Sequence, residues 1–178
     1  MRKTIHLYWQ ETCASAIPDV GKALTDNLPL TVLPSGVLEP APEAFDTWRR
    51  RYDAEYLLRG LAAVHNAVAG ESLALWVISG DISCAGYDYV YGAAVKDMAV
   101  VSAARAGSGE NLLKEACHEA GHLLGLEHCE NPCLMNTSPD LKRLAAKPMK
   151  FCAECADLVR CTTGIKERKR GNCDETDA

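Results

Sequence analysis

Residues Cys117–Met135 read CHEAGHLLGLEHCENPCLM and bring three of the chain's five histidines and three of its nine cysteines into one short run. No other stretch restricts so strongly what the chain can become. His118 and His122 are four residues apart, which on a helix sets them about 40° apart in azimuth, one above the other on a single face. Glu119 lies about 100° round from His118, beside that face. His128 could not join the pair along a continuing helix, since it would stand roughly 120° around the axis and about 9 Å further along. Gly125 removes the difficulty, because glycine takes a left-handed backbone cheaply and can end the helix and turn the chain back. Two imidazoles on a helix, a break, and a third imidazole returned to the same point make a coherent metal site. Three neutral histidines with a fourth position open are the pattern of a catalytic zinc, with Glu119 placed to take a proton from a zinc-bound water. A core helix with incidental histidines would account for HExxH alone, but accounts poorly for the glycine and the third histidine in register.

The cysteines point the same way. Cys129 and Cys133 are separated by three residues, Cys152 and Cys155 by two. Two such short-spaced pairs supply the four thiolates of a closed, tetrahedral structural zinc site, whose binding energy would act as folding energy. The alternatives are two disulfides or buried free thiols. The odd total of nine and a reducing compartment count against disulfides. Cys117 falls on another face of the helix from His118 and reads as a small core residue. Cys13, Cys84, Cys161 and Cys173 suggest no role beyond that of buried or tail thiols. Met135 can fill an irregular gap beneath the histidines and give the site an apolar floor.

At 178 residues the chain suits one domain with a substantial core. Apolar residues make up 48% and charged residues 24%, ordinary for a globular protein, and a net charge of −5 argues against a nucleic-acid-binding surface. The start, MRKTIHLYWQET, is too short in its apolar run and too polar for a signal peptide, and no later stretch approaches a membrane span. A cytoplasmic location is expected.

Ile5–Trp9 and Leu30–Leu33 read as strands around a helix over Ile17–Asn27, with Pro34-Ser35-Gly36 ending the second strand. Val37–Thr47 reads as a loop. A helix follows from about Ala54 to Val68, its apolar stripe formed by Leu57, Leu61, Val64 and Val68 with Leu58 and Ala62 beside them. Leu73–Ile78 is continuously apolar, as for a strand buried on both faces, and the strand–helix–strand–helix–strand order implies parallel pairing. Tyr87–Val95 and Met98–Ala103 read as two more strands joined at Lys96-Asp97, the first an edge. The helix bearing the histidines runs over Asn111–Leu124. Two short helices are expected beyond, one from Ser138-Pro139-Asp140 and one after Cys152. The end, KERKRGNCDETDA, reads as a disordered tail.

HEAGHLLGLEH followed by Met135 resembles the metzincin clan of zinc metallopeptidases, and Cys129, Cys133, Cys152 and Cys155 around Met135 resemble one branch of it, the archaemetzincins. The likeness covers about residues 4–160, including RRYDAEYLL before the second helix. It implies an α/β (α+β) fold: a compact metzincin-like domain with a twisted mixed sheet, an antiparallel edge strand, two long helices and an irregular zinc-stapled C-terminal part. The domain would span 1–164, divided at about 125/126, with 165–178 as tail. By the same likeness His118, His122 and His128 hold a catalytic zinc, Glu119 is the general base, Met135 forms the turn beneath the metal, and the four cysteines hold a second, structural zinc. Two gaps, Cys129 to Cys133 and Met135 to Cys152, are each one residue shorter than the family pattern. An extended peptide would pair with the edge strand, expected within Tyr87–Val95.

The expected activity is hydrolysis of peptide bonds by a monomeric zinc metallopeptidase acting on peptides or unfolded segments, without membrane or nucleic-acid partners. The alternative is a non-proteolytic, zinc-stabilised peptide-binding protein, against which Glu119 counts, since a binding site needs no general base. A nucleic-acid-binding zinc module would suit the cysteines alone, but not the acidic chain.

Overall fold

The computed structural model describes residues 3–69 and 72–162. In chain order the elements are β1 (Lys3–Trp9), α1 (Ile17–Asn27), β2 (Leu30–Val37), β3 (Phe45–Asp46), β4 (Arg51–Asp53), α2 (Ala54–Ala69), β5 (Leu73–Ile78), β6 (Ile82–Cys84), β7 (Tyr87–Val90), β8 (Gly92–Val95), β9 (Met98–Ser102), α3 (Ala103–Ala106), α4 (Glu110–Leu123), α5 (Leu141–Ala146) and α6 (Ala153–Thr162). Five strands form one sheet in the order β2-β1-β5-β9-β8. All neighbours pair parallel except β8, which runs antiparallel to β9 at the edge.

Alternation along the central strands explains the layering. Ile5 and Leu7 of β1, Leu75 and Val77 of β5, and Ala99 and Val101 of β9 share one core with α1 and α4. The intervening Tyr8, Ala74, Trp76, Ile78, Met98 and Val100 share the opposite core with Leu57, Leu58 and Leu61 of α2. Successive side chains of a strand point to opposite faces, so a sheet covered on both sides needs apolar residues at every position. The six residues of β5 are all buried. This places α4, with its histidines, against one face of the sheet and beside the antiparallel edge.

Several expectations need correction. β2 does not stop at Leu33 but continues to Val37, with a bulge opposite Leu7/Tyr8. Proline is tolerated there because β2 lies at a sheet edge, where a missing N–H breaks no ladder. The stretch read as a loop contains a 3₁₀ turn over Pro42–Ala44 and the strand β3. Tyr87–Val95 is two strands: β7 belongs to a second, four-stranded sheet, β3-β4-β6-β7, and only β8 is the antiparallel edge of the first. The chain changes sheet at Tyr91, whose carbonyl accepts from the Ser102 N–H. In α2, Val64 is 41% exposed while His65 is fully buried. His65 can face inward because both ring nitrogens have partners, the Ser72 carbonyl at 3.0 Å and the Tyr8 hydroxyl at 3.3 Å. The tail and Cys173 lie outside the described residues. No helix among the described residues is long and apolar enough to cross a membrane.

The second sheet is tied down by Asp81. Its carboxylate accepts from Arg51 Nε at 2.9 Å and from Arg105 Nε and Nη2 at 2.8 and 2.9 Å. Burial alone would raise the Asp81 pKa, but the hydrogen bonds from Arg105 and Arg51 outweigh it and hold the carboxyl below its ordinary value. Asp81→Asn is expected to cost about 2 kcal/mol at neutral pH, the scale of lost hydrogen bonds to a charged group. A lowered native pKa contributes stability above the unfolded value, near 4, that is lost as pH falls through the native value. The gap between wild type and variant in denaturant unfolding should therefore close as the pH is taken down below about 4.

Candidate metal centre and cleft

The helix α4 ends as the sequence suggests. Gly125 has φ +87°, its N–H bonds to the His122 carbonyl at 2.9 Å, and the Leu126 N–H bonds to the Gly121 carbonyl at 3.0 Å. This pair of bonds is a Schellman closure, which only a residue tolerant of left-handed backbone makes cheaply. The chain turns back, and one nitrogen each from His118, His122 and His128 lies within 4.8 Å of the others.

The hydrogen bonds set the ring tautomers. His118 Nδ1 lies 3.0 Å from the Leu134 carbonyl and His122 Nδ1 2.8 Å from the Leu126 carbonyl. A carbonyl only accepts, so both Nδ1 atoms carry the hydrogen and both Nε2 atoms keep their lone pairs. Those two Nε2 atoms face each other at 3.2 Å. Two acceptors so close need a cation between them, and tetrahedral zinc with Zn–N near 2.0–2.1 Å would set its nitrogens about 3.3 Å apart. Burial first, then the Lys147 charge, holds His118 well below its ordinary pKa, and burial lowers His122. The rings are thus kept neutral, the form that ligates. Met135 is fully buried beneath α4, its Sδ 2.5 Å from where a Cβ on Gly121 would stand.

The four cysteines are also brought together, one sulfur each within 4.8 Å of the others. Cys129 Sγ lies 3.8 Å from Cys152 Sγ, far beyond a disulfide bond and close to the ~3.8 Å edge of a zinc–thiolate tetrahedron. Cys133 Sγ accepts from the N–H groups of Met135 at 3.4 Å and Cys152 at 3.2 Å. The Cys155 N–H, more than any other group, draws the Cys152 thiol down to about 7, whereas burial pushes Cys155 up. Asn136 braces the loop, its amide donating to the Cys129 carbonyl and, at 2.8 Å, to the Asn131 carbonyl. The two clusters share more than adjacent residues. Leu134, whose carbonyl fixes His118, stands between Cys133 and Met135, and the Met135 carbonyl accepts from the Cys129 N–H at 3.0 Å.

Glu119 is 4% exposed and lines a cleft of about 580 Å³, with residues 87–92 forming one wall and Thr137–Pro139 another. Burial, then the neighbouring Glu115, raises its pKa well above the usual carboxylate range. Gly92 makes room for it, since a Cβ there would lie 2.6 Å from Glu119 Cγ and Oε1. Two further groups were not foreseen from the sequence. Lys147, buried, sets its Nζ 3.6 Å from Glu115 Oε2 and 3.3 Å from His118 Nδ1. Because that Nδ1 carries a hydrogen, the second contact is electrostatic rather than a hydrogen bond. The only trace of Glu115 in the sequence is its place four residues before Glu119. Lys147 leaves none, being thirty-two residues beyond its partner.

The model of peptidase family M54 matches residues 25–161. The chain belongs to this family, the archaemetzincins. An archaemetzincin of Archaeoglobus fulgidus is 30% identical over 165 residues, covering 88% of this chain and 94% of that one. One from Aeropyrum pernix is 34% identical over 157 residues, covering 82% and 80%. Among solved structures, a zinc-dependent peptidase from Methanocorpusculum labreanum superposes with a TM-score of 0.77 at 27% identity, over 87% of this chain and 99% of that one. This archaemetzincin is accordingly a zinc metallopeptidase with peptide substrates. The α/β fold expected from the sequence is the fold of these relatives.

Proposed function

We propose that His118, His122 and His128 hold the catalytic zinc of this peptidase, with Glu119 as general base. Cys129, Cys133, Cys152 and Cys155 hold a second, structural zinc, giving two ions per chain. The observation that carries the reading is the 3.2 Å approach of two Nε2 lone pairs whose rings are locked by carbonyls on their other nitrogens. Zinc supplies Lewis acidity there, making a bound water acidic enough to ionise near neutral pH and polarising an oxygen of the substrate. Glu119 takes the proton at its carboxylate and passes it to the leaving amine. The edge of β8 offers unpaired backbone groups to an extended peptide, and the cleft walls displace water around it. Met135 supports the helix from below and keeps the two ligating turns in register.

The metal-stapled segment 126–164 and the part before it act as one domain in this reading. Nine cysteines in the sequence suit a reducing cytoplasm, and in this reading the acidic chain acts as a monomer without a nucleic-acid partner. The test is incubation of the zinc-loaded protein with a diverse peptide library, with cleavage read by mass spectrometry and metal counted by elemental analysis. Two zinc ions and a set of cuts abolished by a chelator are expected. A protein holding both ions that leaves the library intact would overturn the assignment of the centre as catalytic.

Gly92 provides a separate check on Glu119. Gly92→Ala would press a methyl group into the carboxylate, and the β8 backbone or the base must move. Displacements on the ångström scale cost about 10²-fold in rate, so kcat should fall by about that factor while zinc content stays unchanged.

A further inference from the structure

The two walls of the cleft are joined. The Tyr89 hydroxyl donates to the Pro139 carbonyl at 3.0 Å, from β7 on one wall to the loop before α5 on the other. Among the described residues no other hydrogen bond links residues 87–92 to Thr137–Pro139. Ser138, next to the acceptor, has a buried hydroxyl without a partner, so this loop is not closed by side-chain bonds of its own there. Tyr89, in contrast, is firmly held. The Arg105 guanidinium lies 3.8 Å above its ring, Arg105 is gripped by Asp81 through two hydrogen bonds, and the Tyr91 ring stands perpendicular to it with centroids 5.8 Å apart. The bond stands in an exposed part of the structure, and both its residues line the cleft that the buried Glu115, His118 and Glu119 also line.

We infer that Tyr89 is a specificity-determining residue: its bond to Pro139 clasps the cleft, so that a short peptide enters freely while a continuous chain must open the clasp to pass. The inference rests on the reading of this cleft as the peptide site and names its substrate class, short peptides in preference to internal segments of long chains. The logic is steric. An extended chain running between two walls occupies the space that a wall-to-wall hydrogen bond crosses. A peptide ending before that point leaves the bond intact. The Asp81–Arg105–Tyr89 series makes the tyrosine the fixed half of the clasp, and the loop at Pro139 the half that gives way.

The test compares a short quenched peptide with the same sequence placed midway in a long unfolded chain. Tyr89→Phe removes only the hydroxyl and keeps the ring under Arg105. The ratio of kcat/KM for long over short substrate should rise about fivefold, the scale of one neutral hydrogen bond. An unchanged ratio overturns the inference. A second arm reads binding instead of turnover, by fluorescence anisotropy of both labelled ligands on zinc-loaded protein carrying Glu119→Gln. There the ratio of dissociation constants should shift with Tyr89→Phe by a similar factor. A protein that cleaves neither ligand but shows this shift keeps the clasp and loses the peptidase reading. Cleavage with no shift in either ratio keeps the peptidase reading and removes the clasp.

Discussion

Glu119→Gln is expected to lower kcat by about 10³-fold, within the range for loss of a general acid–base group, with KM and zinc content little changed. Glutamine is the informative replacement because the site is sterically tight. Glu119 is packed against Gly92 and is almost wholly buried, so a smaller residue would admit water and confuse the result. The amide keeps the volume and removes the ability to accept a proton. It also removes a charge that burial and Glu115 both disfavour, so the variant should be no less stable than the wild type. Single-turnover cleavage with metal analysis on the same sample checks the prediction. Full activity in a correctly loaded variant would show that another group takes the proton. Glu115, four residues earlier and buried in the same cleft, would then be next to test.

Cys155→Ser carries the second large effect. A tetrahedral thiolate site missing one sulfur binds zinc far more weakly, and structural zinc in small sites contributes on the order of 10 kcal/mol to folding. The stability of a whole domain is about 5–15 kcal/mol, so the variant should lose a large part of it, at least about 4 kcal/mol and roughly 10 °C in Tm. Zinc content should fall from two ions to one. The loss should also reach the histidines, because Cys133, Leu134 and Met135 are consecutive and the Leu134 carbonyl orients His118. A chelator should therefore strip the remaining zinc more readily than it strips the wild type. An unchanged Tm with two ions still bound would show that the cysteines do not hold the second metal.

The outcome for the edge region shows where sequence reasoning reaches its limit. Tyr87–Val95 has strand-like composition throughout, and nothing local marks Tyr91 as the point where the chain leaves one sheet for another. That break follows from two partners, β6 and β9, that lie on opposite sides of it in sequence. Likewise α2 presents Val64 and His65 side by side, and apolarity favours the valine. His65 turns inward because Tyr8, far back in the chain, and Ser72, beyond the end of α2, satisfy its ring. Pro34 reads as a stop until the strand proves to be at an edge.

The clustering of the proposed site residues was legible for the opposite reason. His118, Glu119 and His122 share one helical turn, Gly125 closes that helix through its own backbone freedom, and the cysteines come in two tight local pairs. Helical periodicity, a left-handed glycine and the preferences of thiolate and imidazole act within a few residues, so the local residue pattern pointed to both proposed metal centres and to the class of fold that presents them. The packing of distant segments set what surrounds these clusters: Gly92 against Glu119, Lys147 beside Glu115 and His118, and Tyr89 reaching Pro139 at the cleft. These contacts join residues tens of positions apart, and their geometry follows from how the two cores pack against the sheet.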